Sequence, residues 1–310
     1  MFHVLLYYKI VPVQHPAVEV KVHKEVCKAL NLHGRILIGK DGINGTVAGT
    51  EESIRLYRSY MDGHRVFSAI DFKEHTNAFN PFPRLSIKER YEIVTTDDRE
   101  RFDFKKRAKH ISADKLHRWF VEGKDMVILD MRNDYEWEIG RFKGSIKPPM
   151  KYFRDLKDHL AWYKENFADK TVVTFCTGGI RCEPATAMLL QAGFVHDNLY
   201  QLEGGIVKYA ETYANDGFYE GKCFVFDDRI SVPVNTTKDA VILGNCLLCE
   251  KNVDTYRNCA NKFCNKLFIG CDACVAAYDN TCSRDCQELV KDPDNIRPVR
   301  IHTQQLHRNK

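Results

Sequence analysis

The alternation of strand-like and helix-like runs predicts an α/β protein in three parts: a ferredoxin-like α+β domain, a central α/β domain on a parallel sheet, and a cysteine-rich module. Three observations predict it. Between residues 3 and 95 the runs follow the order βαββαβ, which is that of a ferredoxin-like sandwich. From Ile111 to Asp228 strand and helix alternate, as in an open parallel sheet covered on both faces. Eight of the 12 cysteines then crowd between Cys246 and Cys286. The implied boundaries are 1–96 for the first domain, 97–110 for a linker, 111–228 for the second domain, 229–291 for the cysteine-rich module and 292–310 for a basic tail.

In the first domain His3–Ile10 reads as a strand. Pro16 to Leu32 reads as an amphipathic helix with Val18, Val22, Val26, Ala29 and Leu30 on its apolar face. Two strands at Arg35–Gly39 and Ile43–Ala48 flank Lys40-Asp41-Gly42, and Asp-Gly between apolar runs is a strong hairpin signal. A helix over Glu51–Met61 and strands at Ala69–Glu74 and Leu85–Val94 complete the unit. Its loops carry no nucleophile–base pair, so it reads as a binding module, with Cys27 in the core. In the second domain Ser112 caps a helix ending near Val121. A buried strand Met126–Asp130, a helical stretch around Tyr135-Glu136, a short strand Gly144–Lys147, a helix Tyr152–Asn166 and a strand Thr171–Phe175 follow. A helix Arg181–Ala192, a strand Asn198–Leu202 and a last helix opened by Glu203-Gly204-Gly205 complete it.

Composition narrows the function classes. A chain of 310 residues with 44% hydrophobic residues can bury two or three sizeable cores. No run approaches the roughly 18 apolar residues of a membrane span, and the N-terminus reads as a strand rather than a secretory leader, so a cytoplasmic protein is expected. The net charge of +4 is divided unevenly: residues 1–110 carry 19 basic against 14 acidic residues, residues 111–222 carry 15 against 17, and the remainder 12 against 11. A basic first domain is compatible with a polyanionic partner, and equally with a solvated basic face.

The chemistry concentrates at Val172-Val173-Thr174-Phe175-Cys176-Thr177-Gly178-Gly179-Ile180-Arg181-Cys182-Glu183. A buried strand feeds a helix through a loop whose glycines allow successive amides to turn inward as an anion nest. The helix start adds its positive end. A thiol at the mouth of such a loop, beside Arg181, should ionise below its free value of about 8.5 and act as a nucleophile. Four residues separate Cys176 from Arg181, a loop too narrow for the phosphate that a cysteine phosphatase must seat and better suited to one added sulfur atom. Asp130, Arg132 and Glu203 emerge at the same carboxyl ends of strands. Arg132 and Glu136 would shape a substrate mouth or form a surface ion pair, with Glu203 nearby. Cys182 reads either as a partner thiol or as a small residue packed under the loop, the latter favoured because its turn points away from the nest.

This arrangement resembles the active loop of rhodanese domains. The string Cys176-Thr177-Gly178-Gly179-Ile180-Arg181-Cys182-Glu183 is similar to that of the oxygen-dependent tRNA uridine hydroxylases that contain a rhodanese domain, as are Gly42-Ile43-Asn44-Gly45-Thr46 and Gly221–Arg229. Pro184 and Tyr219 depart from the family pattern, in which lysine is more often found at the first position and tryptophan is usual at the second; proline is tolerated in a first helical turn. The resemblance implies hydroxylation of the wobble uridine of tRNA at carbon 5 with molecular oxygen, and an essential Cys176. The residues alone also fit a sulfurtransferase carrying a persulfide on Cys176, or a non-catalytic RNA- or protein-binding scaffold. No dinucleotide fingerprint for flavin or NAD, no haem motif and no facial His-His-carboxylate set is found in the sequence.

The eight clustered cysteines form four short pairs, Cys246/Cys249, Cys259/Cys264, Cys271/Cys274 and Cys282/Cys286. Eight thiolates are the ligands of two closed tetrahedral zinc sites. A knuckle, a hairpin strand at Lys266–Ile269 and a helix opened by Asp272 suggest that the first and third pairs share one ion and the second and fourth the other, with sequential pairing as the alternative. A module of about 45 residues could hardly fold without the metals.

Overall fold

The structure is a computed structural model describing residues 1–97 and 106–297. Residues 98–105 of the expected linker and 298–310 of the expected tail lie outside the described residues. The chain forms two units, one made of Met1–Asn133 with Ile146–Thr212, the other of Asp134–Ser145 with the chain from Tyr213 onward.

The first unit begins with β1 (Phe2–Ile10), α1 (Pro16–Ala29), β2 (His33–Gly39), β3 (Gly42–Gly49), α2 (Glu51–Asp62), β4 (Lys73–Asn77) and β5 (Leu85–Glu89). The sheet order is β4-β1-β3-β2-β5. Its first four strands pair antiparallel in the ferredoxin-like order, and β5 is added parallel to β2. Lys40-Asp41 makes the two-residue turn between β2 and β3. Thr50 caps α2, its hydroxyl accepting from the Ser53 amide at 3.2 Å. The core under the helices contains Leu5, Tyr7, Cys27, Ile36, Ile38, Ile54 and Tyr57.

Two details correct the sequence expectation. The buried stripe of α1 is Pro16, Val20, His23 and Cys27, while Val18 and Val22 are exposed. Counting valines placed the face one step around the helix, because the core there is lined by a histidine and a cysteine. In addition, Ala69 has a φ of +57°, a left-handed turn conformation, so β4 begins only at Lys73.

The unit continues with β6 (Lys109–Ile111), α3 (Ala113–Val121) and β7 (Val127–Asp130). After the excursion through α4 (Asp134–Ile139) and β8 (Gly140–Phe142), which belong to the second unit, it resumes with a 3₁₀ turn at Phe153–His159 and α5 (Leu160–Phe167). Then come β9 (Val172–Phe175), α6 (Cys182–Gln191), β10 (Leu199–Leu202) and α7 (Gly205–Tyr213). All pairs in the sheet β6-β10-β9-β7 are parallel, and β9 is buried along its whole length. The strand expected at Gly144–Lys147 is reduced to one bridge, Leu129 to Ile146. Gly144 turns at φ +74°, and the extended residues lie earlier, in β8.

In the second unit β8 pairs with β11 (Tyr219–Phe224), which pairs with β12 (Ser231–Pro233), all antiparallel. A hairpin of β13 (Tyr256–Asn258) and β14 (Leu267–Ile269) precedes the short helices α8 (Asp272–Ala277) and α9 (Arg284–Leu289). Ile139, Phe224, Tyr256 and Ile269 form a small core, and the Tyr256 hydroxyl donates to the Tyr135 carbonyl. Among the described residues no helix is long and apolar enough to cross a membrane.

Ser112 caps α3 as its sequence suggests, its hydroxyl accepting from the Lys115 amide at 3.2 Å. Ser112→Ala should therefore cost about 1 kcal/mol, read as a lower urea midpoint at unchanged slope, while Ser112→Asp should retain most of that stability.

Candidate active site and metal centres

Cys176 is the first residue beyond the carboxyl end of the central strand β9, and α6 starts six residues later at Cys182. The loop between them is folded by its neighbour α7. Gly204 and Gly205 take φ values of +68° and +65°, which bring the first amides of α7 onto the loop carbonyls. Ile206 donates to the Cys176 carbonyl and Val207 to that of Thr177, both at 3.0 Å. A Cβ on Gly205 would stand 2.4 Å from the Cys176 carbonyl oxygen, so no side chain fits there. With those carbonyls turned to α7, the amides turn inward. The Gly179 N–H, on a residue at φ +99°, donates to Cys176 Sγ at 3.1 Å.

The electrostatics follow from this geometry. Burial pushes the Cys176 thiol up, but a hydrogen bond from Cys182, the Arg181 charge and the amides of Arg181 and Gly179 outweigh it and bring it down to about 6. Burial and the adjacent Cys176 sulfur drive Cys182 well above the ordinary thiol value. Cys182 is fully buried and within hydrogen-bonding reach of the Cys176 sulfur, so its side chain lies beside the nest rather than packing away from it. Arg181 is buried and donates to the Thr177 hydroxyl at 3.1 Å. Ile180 is half-buried at the end of the loop.

The sequence suggests a thiol at the mouth of its loop; in the structure Cys176 is fully buried. The cover is β1 of the ferredoxin-like sheet. A Cβ on Gly178 would stand 2.9 Å from Leu6 Cδ2, and one on Gly179 would stand 3.1 Å from the Tyr8 hydroxyl. That hydroxyl donates to Glu183 Oε1 at 3.0 Å. Glu183 is itself buried and accepts from Arg107 at 2.7 Å, and from Gln201 at 3.4 Å, with His110 Nε2 at 3.4 Å. Burial raises its carboxyl, yet hydrogen bonds from His110 and Tyr8 and the charges of Arg107 and His110 hold it below the usual range. Lys73 of β4, directly across from Leu6, is buried with its ammonium 5.2 Å from the Tyr8 ring centroid. Sequence reasoning assigned none of Leu6, Tyr8, Lys73 or the partners of Glu183 to the site.

Arg132 is fully buried, with Nε donating to both Asp130 oxygens at 2.9 and 3.1 Å and Nη2 donating at 2.6 Å. Glu136 is buried on α4, in the second unit, so neither side chain is on the surface. Glu203 is half-exposed and pairs with Lys208 at 2.6 Å.

The cysteine-rich part gathers into two groups, Cys246, Cys249, Cys271 and Cys274, and Cys259, Cys264, Cys282 and Cys286, with the sulfurs of each group within 4.8 Å of one another. Four thiolates at about 2.3 Å from a tetrahedral ion stand roughly 3.8 Å apart. The Cys249–Cys271, Cys264–Cys282 and Cys282–Cys286 sulfur separations are 3.7, 3.6 and 3.9 Å. The donor sets therefore fit metal ions. All 12 cysteines are free of disulfides. The Cys271 amide donates to Cys246 Sγ and Asn261 to Cys286 Sγ, at 3.4 and 3.5 Å, which orients the sulfurs.

Comparison with known proteins places three family descriptions on the chain: a UPF0176 acylphosphatase-like domain over residues 2–93, a rhodanese-like domain over 112–212 and a rhodanese C-terminal domain over 220–287. The chain is 36% identical to a tRNA uridine(34) hydroxylase of Protochlamydia amoebophila, covering 99% of this chain and 93% of that protein. It is 39% identical to one of Chlamydia trachomatis serovar L2, covering 94% and 88%.

The depressed thiol value sets a pH dependence. Cys176 is protonated below about 6 and a thiolate above it, so its rate of alkylation by iodoacetamide, followed by peptide mass spectrometry, should rise through pH 6 and level off by neutrality. Arg181→Gln removes one of the stabilising charges and should move that midpoint upward.

Proposed function

The chain belongs to the tRNA uridine(34) hydroxylase family, and on that premise we propose that it hydroxylates carbon 5 of the wobble uridine of tRNA with Cys176 as the reacting thiolate. The observation that carries the reading is the Gly179 amide donating to the Cys176 sulfur within a loop closed by α7. A thiolate held by fixed donors at the carboxyl end of a parallel sheet is preorganised to react as a nucleophile. Arg181 and Cys182 hold its negative charge, Thr177 orients Arg181, and Gly178 and Gly179 keep the loop narrow. Molecular oxygen is the co-substrate that the family resemblance implies; one of its atoms enters the C5–H bond and the other leaves as water with two protons and two electrons from an external two-electron reductant. The net charge of +5 on residues 1–110, the first domain (+3) together with the linker, supports this front part of the chain as the one that holds the tRNA backbone.

Zinc is the metal best matched to two closed Cys₄ sets. Cys246, Cys249, Cys271 and Cys274 would hold one ion and Cys259, Cys264, Cys282 and Cys286 the other. When bound, the ions supply folding free energy to a module whose own apolar cores are small.

Two measurements test these readings. Nucleoside mass spectrometry of tRNA from cells lacking the protein should show loss of 5-hydroxyuridine, restored by wild type and not by Cys176→Ala. Unchanged 5-hydroxyuridine in all three strains would refute the hydroxylase, and restoration by Cys176→Ala would refute the thiolate. Elemental analysis of protein purified without chelators should give two zinc ions per chain, falling to one in Cys259→Ser; a chain free of metal would refute the zinc sites.

A further inference from the structure

Hydroxylation at a uracil carbon requires the base to reach Cys176, yet that side chain is fully buried beneath Leu6 and Tyr8 of the first domain. Tyr8 places a flat six-membered ring beside the glycine loop and aims a hydroxyl donor at the Glu183 carboxylate. Uracil is also a flat six-membered ring with a donor, N3–H, on its edge. Building on the hydroxylase reading, we propose that Tyr8 occupies the place of the substrate base, and that an incoming uracil displaces it and donates N3–H to Glu183 while Lys73 donates to an adjacent carbonyl oxygen.

The two side chains have the complementary character. An ionised carboxylate only accepts hydrogen bonds, and Glu183 is kept ionised by Arg107 at 2.7 Å, with His110 and Gln201 around it. An ammonium only donates. Lys73 is 4% exposed, beside the Tyr8 ring, and its nearest oxygens are the Asp71 carboxylate at 3.4 Å and the Asp71 carbonyl at 3.5 Å. Both contacts are long for a charged donor, which leaves donor capacity beside the ring. A Cβ on Gly204 would stand 3.0 Å from Lys73 Cε, so the lysine stem lies against the same glycine turn that shapes the cysteine loop. An acceptor beside a donor matches the N3–H and carbonyl edge of uracil. Cytosine presents the reverse, a bare N3 and an exocyclic amine, and would leave a buried carboxylate facing an acceptor. Sites that oppose unmatched polar groups reject the wrong ligand strongly. Tyr8 and Glu183 thus join access to the thiol with the choice of base.

The test uses the full chain and anticodon stem-loop RNAs bearing uridine, cytidine or 3-methyluridine at position 34. The uridine RNA should bind at least about tenfold more tightly than the other two, the scale set by one unmatched hydrogen bond to a charged group. Glu183→Gln should erase that preference while keeping the salt-dependent affinity for RNA. Tyr8→Phe, which keeps the ring and loses the donor, should raise the rate of Cys176 alkylation by about tenfold. Equal binding of the three RNAs to the wild-type protein would overturn the proposal, whether or not Glu183→Gln folds; so would an unchanged alkylation rate in Tyr8→Phe. Conversion of the uridine RNA is scored in parallel. Hydroxylation without discrimination refutes only the role of Glu183 and Tyr8, whereas absence of hydroxylation refutes the catalytic reading and this inference with it.

Discussion

A single backbone hydrogen bond, from the Gly179 amide to the Cys176 sulfur at 3.1 Å, depends on most of the first unit and makes the rest of it intelligible. Amides turn inward only if the carbonyls between them turn outward and find partners. Those partners are the first amides of α7, delivered by two glycines in left-handed conformations. The parallel sheet then holds the start of α6 and the start of α7 at neighbouring strand ends, where ligands of such sheets sit. The opposition between burial and stabilisation is settled at the sulfur. Desolvation alone would make Cys176 an inert buried thiol, whereas Cys182, Arg181 and the two amides reverse that direction.

The ferredoxin-like domain is part of this site rather than an appendage to it. Residues alternate across a strand, so Leu5 and Tyr7 enter the core under the helices while Leu6 and Tyr8 cover the cysteine loop. Glu183 is where several contributions meet: Tyr8 from the first domain, Arg107 from the segment before β6, His110 from β6 and Gln201 from β10. An ionised carboxylate surrounded by donors at the first turn of α6 also complements the positive end of that helix.

Much of this was legible in the sequence because it depends on local rules. Asp-Gly between β-branched runs marked the first hairpin, Ser112 marked a helix start, and the glycines after Cys176 marked a nest. The face of α1 was misread because His23 and Cys27 line the core in place of valines, and β8 was misplaced because an interrupted strand has no period of its own. The cover over Cys176 depends on contacts between residues more than 170 positions apart, which no local pattern carries. One signal did exist. Val4-Leu5-Leu6-Tyr7-Tyr8 is apolar on both faces, whereas a strand in a two-layer sandwich should be polar on the side away from its helices. That missing alternation meant that something covers the second face. In the cysteine-rich module, by contrast, ligand spacing imposed by coordination geometry is itself a local rule, and the paired cysteines were visible at once.

The most direct measurement of the central interaction is the amide proton shift of Gly179 across a pH titration of isotopically labelled protein, with Cys176→Ser as reference. A thiolate acceptor draws that proton downfield as it forms, so the account predicts a transition centred near 6 that is absent in the serine variant. A Gly179 signal that stays flat, or that moves only near the free-thiol value of about 8.5, would contradict it.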